Sequence, residues 1–280
     1  MSYTNNNNTL ADDNIILSDD SKTAGEQEEK TEKLLPILFQ DTVFEKDVYI
    51  SGGYVRDEVM GILSNDLDLV IEKENGSALL SKYFKNIFND SVEIEQLNIN
   101  YPTYNIKFLE DISFGNHFFD VEGADIDISD TVKVRYPEDS GLSKLYEYGS
   151  LMDDCLQRDF TINTLYKDIM TGKIIDLTGF GIKDIKKRIL RTIPKRNPNK
   201  LFYNQPKSLL RLCRFYVKYD MTIPNYVINS ASNNAYRIKT LSIESIQKEL
   251  KKMEKLDKDK LIYIMKKIDI YYLVKKLWEN

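Results

Sequence analysis

The segment that most narrows the fold lies around residue 50. Residues 47–51 (Asp-Val-Tyr-Ile-Ser) are a β-forming run, and Gly52 and Gly53 follow it directly. Residues 54–60 then read as a short helix closed by Gly61, and residues 67–72 (Leu-Asp-Leu-Val-Ile-Glu) as a second strand. Side chains alternate along a strand, so Asp66 and Asp68 project from one face while Leu67 and Leu69 enter the core from the other. Two adjacent glycines let backbone N–H groups close on a phosphate chain, and the start of the next helix adds a favourable dipole. Arg56, early in that helix, is placed to pair with a phosphate oxygen. Two hard carboxylates side by side suit Mg²⁺, which takes oxygen ligands and shares them with substrate phosphates. Alone, a Gly-Gly pair is any turn and an Asp-x-Asp any solvated strand edge. On adjacent strands with a helix between them, they specify a nucleotide and metal site.

The rest of the chain divides by period. Residues 1–25, rich in Asn, Asp and Ser, have little apolar content and are expected to be a disordered acidic tail. Residues 26–39 and 76–88 read as helices, and 91–97, 104–109 and 117–128 as strands. Residues 150–167 read as one helix with Ser150 as its N-cap and Asp153 and Asp154 in its first turn. A short strand at 173–176 and a basic helix at 184–193 follow. After a linker at 194–198, segments 208–219, 226–237, 242–253 and 258–279 all read as helix. The expected organisation is the tail at 1–25, an α/β unit at 26–193 and a helical unit at 194–280.

Charge and composition exclude several classes. The net charge of −5 comes from 39 basic and 44 acidic residues, and residues 1–35 account for all of it. Within the neutral remainder, residues 183–218 hold twelve Lys or Arg and a single acid, Asp184. That stretch is a plausible track for RNA phosphates, with Lys186, Lys187 and Lys195 as its test positions. Two cysteines, Cys155 and Cys213, cannot make a multi-bridge framework, and one histidine, His117, excludes an imidazole-rich zinc site. No Gly-x-Ser-x-Gly elbow is present. No apolar run could span a bilayer, and the opening residues lack the pattern of a signal peptide. A cytoplasmic protein without membrane contact is expected.

Residues 52–57 (Gly-Gly-Tyr-Val-Arg-Asp), with Asp66 and Asp68 after them, resemble the opening motif of the class II tRNA nucleotidyltransferase and bacterial poly(A) polymerase family. Three later stretches extend the resemblance in order. Residues 149–154 lead to Arg158-Asp159-Phe160-Thr161-Ile162-Asn163, similar to the family's Arg-Arg-Asp-Phe-Thr-Ile-Asn run with Gln157 replacing the first arginine. Residues 176–181, with Asp184, Arg191 and Thr192, resemble its hinge; residues 209–215 resemble the helix that opens its neck.

The resemblance implies an α+β fold: a polymerase-β-like nucleotidyltransferase head, with a small mixed sheet flanked by helices, followed by an all-α neck. It also implies a third carboxylate on a neighbouring strand, completing a two-metal Mg²⁺ site with Asp66 and Asp68. Asp120, Asp125 and Asp127 are available. Asp127 is preferred for its spacing to Arg158-Asp159 and because Ile126 and Ile128 would anchor the opposite face; a hairpin turn at Glu122-Gly123 would favour Asp120. Gly52, Gly53, Arg56 and Asp57 belong to the nucleotide turn. Arg158, Asp159 and Asn163 align with residues that hold ribose and phosphates, and would lie along one helix face. At the neck, the family's Glu-Asp-x-x-Arg reads the base edge, but Asn204, Gln205 and Ser208 stand here. Gln205 can flip its amide to suit several bases, and Ser208 is short. Arg211 and Arg214 remain for phosphates.

The expected function is metal-dependent, template-free addition of nucleotides to an RNA 3′ end, with tRNA as acceptor and ATP, and CTP beside it, as donors. Poly(A) or A-only addition is the alternative, favoured by the altered neck and by an expected lack of the family's body and tail modules. A non-RNA acceptor and a non-catalytic RNA-binding relative are the other readings. Arg158–Asn163 argues against the first, and the intact Gly-Gly and Asp-x-Asp against the second.

Overall fold

In the computed structural model, which describes residues 24–64, 66–98, 101–136, 144–194 and 196–278, the two strands around the glycine turn lie side by side within a seven-stranded sheet. The chain begins with α1 (Ala24–Phe39), β1 (Val48–Ser51), α2 (Gly53–Met60), β2 (Leu67–Ile71) and α3 (Gly76–Phe88). Strands β3 (Val92–Asn98), β4 (Thr103–Phe108), β5 (Ile112–Phe114), β6 (His117–Phe119) and β7 (Asp125–Asp130) follow. Then come the hairpin β8 (Val132–Arg135) and β9 (Leu145–Tyr148), helix α4 (Leu151–Gln157), β10 (Leu165–Asp168), β11 (Ile174–Asp176) and α5 (Gly181–Lys187). The sheet order is β11-β10-β1-β2-β7-β4-β3. Among the described strands of this sheet, β2 and β7 are the pair that runs in parallel. The tail expected at 1–25 lies outside the described residues, apart from Ala24 and Gly25 at the start of α1.

One face of the sheet carries the core. Leu67, Leu69 and Ile71 of β2 and Ile126 and Ile128 of β7 are buried against Leu34, Leu35 and Leu38 of α1 and Leu80 and Phe84 of α3. Each such side chain contributes about 1.5–3 kcal/mol by leaving water. A one-residue slip of β2 would exchange Leu69 for Asp68, so the apolar alternation dictates where the carboxylates point. On the opposite face Val70 packs with Leu151, Cys155 and Tyr166.

Several expected elements are shorter than their sequence periodicity suggests. The helix expected at 150–167 stops at Gln157, and Arg158 is extended (φ −70°, ψ 163°). Its start is as expected: Ser150 Oγ accepts from the Asp153 N–H, and the Asp153 carboxylate accepts from the Ser150 N–H. It ends because the following residues find partners far away in sequence. Phe160 bridges Thr192, the Thr161 N–H donates to the Arg191 carbonyl, and 165–168 become strand β10 against β1. Arg158, Asp159 and Asn163 therefore do not share a helix face. For the same reason the helix expected at 184–193 ends at Lys187, with Arg188 left-handed (φ 52°) and Ile189 and Thr192 in isolated β-bridges to Thr222 and Phe160. The strand expected at 117–128 is two strands with a left-handed Gly123 (φ 82°) between them.

Among the described residues six α-helices follow: α6 (Pro198–Asn204), α7 (Lys207–Lys218), α8 (Asn225–Asn233), α9 (Ile243–Lys251), α10 (Lys258–Lys267) and α11 (Tyr271–Trp278). Helix α6 falls outside the expected elements, although its signal is present: Asn197 caps the Asn199 N–H and Pro198 occupies the first helical position. The helix expected at 258–279 breaks at Asp269 (φ 62°), and that at 226–237 ends at Asn233 and gives way to a 3₁₀ turn. These helices share one apolar core with the sheet, through contacts such as Phe160 against Phe215 (ring centroids 6.0 Å apart). Among the described residues no helix is long and apolar enough to cross a membrane.

Candidate active site

A cleft of about 780 Å³ opens between the sheet's polar face and α7. Its floor is acidic. In the parallel β2–β7 pair Asp68 stands directly opposite Asp127, and Asp66 and Asp125 lie two residues before them on the same face. All four carboxylates line the cleft. Asn105, opposite Asp127 on β4, donates to both Asp127 Oδ1 (2.8 Å) and Asp125 Oδ2 (3.2 Å). Asp120 lies elsewhere, its carboxylate 2.8 Å from Lys30 Nζ. The turn at Gly123 exists, yet the register still brings Asp127 to Asp68.

Negative charge accumulates on this floor. Burial, with the Asp127 charge, pushes the Asp68 carboxyl up to about 7 against the opposing pull of Arg158. Glu28 of α1, which sequence reasoning missed, is 3% exposed and raised to about 8 by burial and by the charges of Asp125, Asp66 and Asp68. Its buried Oε2 has no hydrogen-bond partner. Acceptor-only oxygens, excess negative charge and an orphaned carboxylate oxygen beside them fit a hard divalent cation. Among the described residues, however, no three acidic, histidine or cysteine side chains close on a common point.

Above the floor sits the glycine turn. Gly52 adopts φ 67°, and a Cβ there would come within 2.7 Å of Arg158 Nη1. Only glycine lets that guanidinium lie against the backbone. Arg158 is held there by Asp154 Oδ2 (3.2 Å from Nε, 3.0 Å from Nη2), Tyr166 Oη (3.1 Å) and the Asn163 carbonyl (3.2 Å), and it stacks on the Tyr166 ring. Extended backbone after Gln157 is what turns this side chain into the cleft.

A buried network joins the turn to α7. Arg56 lines the cleft, but its Nε donates to Asp57 (2.8 Å), its Nη1 donates to Asn163 Oδ1 (2.7 Å), and it stacks on Phe215 and Tyr219. Asp57 lies below the cleft and also accepts from Tyr219 Oη (3.0 Å). Asn163 Nδ2 in turn donates to Asp159 (2.8 Å), whose other oxygen meets Arg211 Nε at 2.5 Å. Burial alone would raise the Asp159 carboxyl; Arg211, Asn163 and the Phe160 N–H outweigh it and hold it below the usual range. Arg214 pairs with Glu249 (3.1 Å) and stacks on Phe215.

The remaining wall is neutral. Gln205 Nε2 donates to Tyr136 Oη (3.0 Å) and to the Gln157 carbonyl (3.1 Å). Both amide hydrogens are thus engaged, and the side chain is held rather than free to flip. Ser208 is buried at the cleft wall. Tyr136, Asn105, Tyr166, Lys144 and Lys252 are not marked out in the sequence; Asp154 is, but as a first-turn acid of α4 rather than as the partner of Arg158.

A family model described as the poly A polymerase head domain matches residues 48–191, just over half of the chain. The chain is 31% identical over 221 residues to the tRNA nucleotidyltransferase cca2 of Schizosaccharomyces pombe, across 75% of this chain and 43% of that protein. It is 26% identical over 193 residues to poly(A) polymerase I of Salmonella typhimurium, across 69% of this chain and 38% of that protein. Its fold matches the solved Thermotoga maritima CCA-adding enzyme complexed with tRNA, with a TM-score of 0.64 at 22% identity, over 88% of this chain and 52% of that one. The chain therefore spans about two fifths of the curated relatives it matches.

Proposed function

Given that the chain belongs to the poly(A) polymerase head-domain family, we propose that it is an RNA nucleotidyltransferase acting on a tRNA 3′ end, with ATP, and CTP beside it, as donors. The observation that carries this reading is the Asp68–Asp127 pair lying beside Gly52 and Arg158 in one cleft. In the reaction the RNA 3′-hydroxyl oxygen attacks the α-phosphorus and passes its proton to water. A phosphodiester bond forms, the α–β anhydride bond breaks and pyrophosphate leaves.

Asp66, Asp68 and Asp127 would hold Mg²⁺, in the two-ion arrangement. When bound, it supplies neutralisation of the phosphates and a lowered pKa for the attacking hydroxyl. The protein's part is placement. Gly52 and Gly53 let the phosphate chain lie against the α2 N-terminus, and Arg158 stands over it. Arg56, Asp159, Asn163 and Arg211 form the frame that fixes this geometry, so they act by positioning. We assign the base to the neutral wall, where Gln205 retains only its Oε1 as an acceptor. An acceptor suits the exocyclic amine of adenine or cytosine and repels the keto oxygen of guanine or uracil. Ser208 cannot reach as a guanidinium would, so discrimination between ATP and CTP should be weak or biased toward ATP. A-only addition is thus the second reading. The cytoplasm is the proposed compartment.

The test is incubation with Mg²⁺ and each labelled NTP in turn, using tRNA lacking CCA, tRNA ending in CC and an unstructured RNA. Incorporation of A or C into any acceptor supports the reading. A clean CCA end on the first would overturn the weak-discrimination part, and no incorporation would overturn the whole.

A further inference from the structure

The cations lining the cleft divide by what already holds them. Arg56 is engaged by Asp57, Arg158 by Asp154 and Arg211 by Asp159, while Arg214 and Lys207 share Glu249. Among the described cleft-lining residues, the cations with no carboxylate partner are Lys144 and Lys252. They reach the cleft from opposite sides: Lys144 directly precedes β9 in the hairpin, and Lys252 directly follows α9 in the helical part. Both side chains are exposed, and Lys144 makes one further contact, 5.9 Å from the Tyr136 ring centroid.

A cation already paired inside the protein gains less from a phosphate than an unpaired one, because it must share or surrender its partner. An unpaired, solvated lysine at the cleft wall loses only water and a counterion. The acidic floor sharpens the need, since a polyanion entering over four carboxylates is repelled unless compensating positive charge lies nearby. From the sequence, phosphate binding is expected on residues 183–218. The structure ties much of that stretch inward: Arg188 donates to the Tyr219 carbonyl, Arg191 pairs with Asp184, and Arg196 donates to the Gln157 and Arg158 carbonyls.

We infer that Lys144 and Lys252 form a two-sided phosphate clamp across the cleft, binding phosphate oxygens either of the nucleotide's triphosphate or of the acceptor RNA backbone. The inference rests on the proposed function for the identity of its ligand. It assigns phosphate contact to the hairpin and to the end of α9, outside the basic stretch.

The experiment measures binding with the 280-residue chain, its Lys144→Ala and Lys252→Ala variants and the double variant. Mg²⁺-ATP is titrated by calorimetry and a labelled ten-nucleotide single-stranded RNA by anisotropy, each at several salt concentrations. Both lysines are exposed, so folding should be unaffected, and Lys258→Ala serves as a control for simple charge loss. Each cleft variant is expected to weaken one ligand about threefold to fivefold at low salt. For RNA, the slope of log affinity against log salt should fall by about 0.7 per lysine. Loss confined to ATP supports the clamp with the triphosphate as its ligand, and loss confined to RNA supports it with the acceptor backbone. A parent chain that binds both ligands and a double variant that binds them equally well would overturn the clamp while leaving the proposed function standing. A parent chain that binds neither would overturn both.

Discussion

The acidic face of β2 and β7 and the basic stretch at 183–218 are charge clusters of opposite sign, and the fold treats them in opposite ways. On the acidic face, Asp66, Asp68, Asp125 and Asp127 stand together at an open cleft with Asn105 as their bridging donor. Burial, with the Asp127 charge, drives Asp68 up to about 7 even against the pull of Arg158. In the basic stretch, Arg191, Arg211 and Arg214 each meet a buried carboxylate: Asp184, Asp159 and Glu249. Arg211 ties α7 to the segment after α4, Arg214 ties α7 to α9, and Arg191 ties the segment after α5 back to that helix. The difference teaches that charge density in a sequence does not identify a binding surface; the charges left unsatisfied by folding do.

The largest expected effect breaks the acidic side. The Asp66→Ala/Asp68→Ala double variant should lose at least about a thousandfold in nucleotide incorporation, the scale of removing electrostatic stabilisation from a transition state. Its thermal midpoint should hold or rise in cation-free buffer, because two clustered like charges have gone. Turnover retained in that folded variant would end the enzyme reading. The arginine side should answer inversely. Arg211→Ala leaves Asp159 buried without its charge partner and should cost about 3 kcal/mol of stability, measured by urea unfolding. An Arg211→Ala variant as stable as the parent, with lowered affinity for ATP, would return this residue to the role expected from sequence.

A third outcome concerns pH. Asp68 (about 7) and Glu28 (about 8) are both raised above ordinary carboxylates in the folded state. Folding therefore favours their protonated forms. Their contribution to stability is fully present below about pH 4 and is lost as pH rises through 7 to 8. The loss is about 1.4 kcal/mol for each pH unit that separates a group's folded pKa from its unfolded one. In cation-free buffer Glu28→Gln should match the parent near pH 4 and exceed its thermal midpoint near pH 8. Identical midpoints at both ends would mean that Glu28 does not feel the acidic floor.

How much of this is legible in sequence follows the range of the interactions. The glycine turn and the two strands beside it are readable, because strand alternation and a glycine pair are local signals. Asp127 is readable because Ile126 and Ile128 mark its strand face. Arg158 stands out in the sequence but reads as helical, since nothing near it announces that Phe160 and Thr161 will pair with residues around Arg191. Glu28 is invisible: it occupies the buried side of α1 nearly two turns before Leu34, and only the tertiary fold carries it to the carboxylates. The freely flipping Gln205 is a local inference that Tyr136, 69 residues away, overrides.

The smallest expected effect tests the exposed remainder of the basic stretch. Lys186 and Lys187 lie on the last turn of α5, are exposed, and line no part of the cleft. If phosphate affinity followed charge density, a Lys186→Ala/Lys187→Ala variant would lose RNA binding in proportion to the two charges removed. If it follows unpaired charge at the cleft, their influence must act through solvent, where interactions beyond a Debye length of about 8–10 Å are largely screened. The variant is therefore expected to change RNA affinity by less than about twofold at physiological salt, against the larger loss expected for Lys144→Ala/Lys252→Ala. Anisotropy titrations of the two double variants in parallel decide between these accounts. Equal losses would make the surface of α5 part of the RNA path and would show that the basic stretch is divided, its arginines bracing the fold and its lysines meeting the nucleic acid.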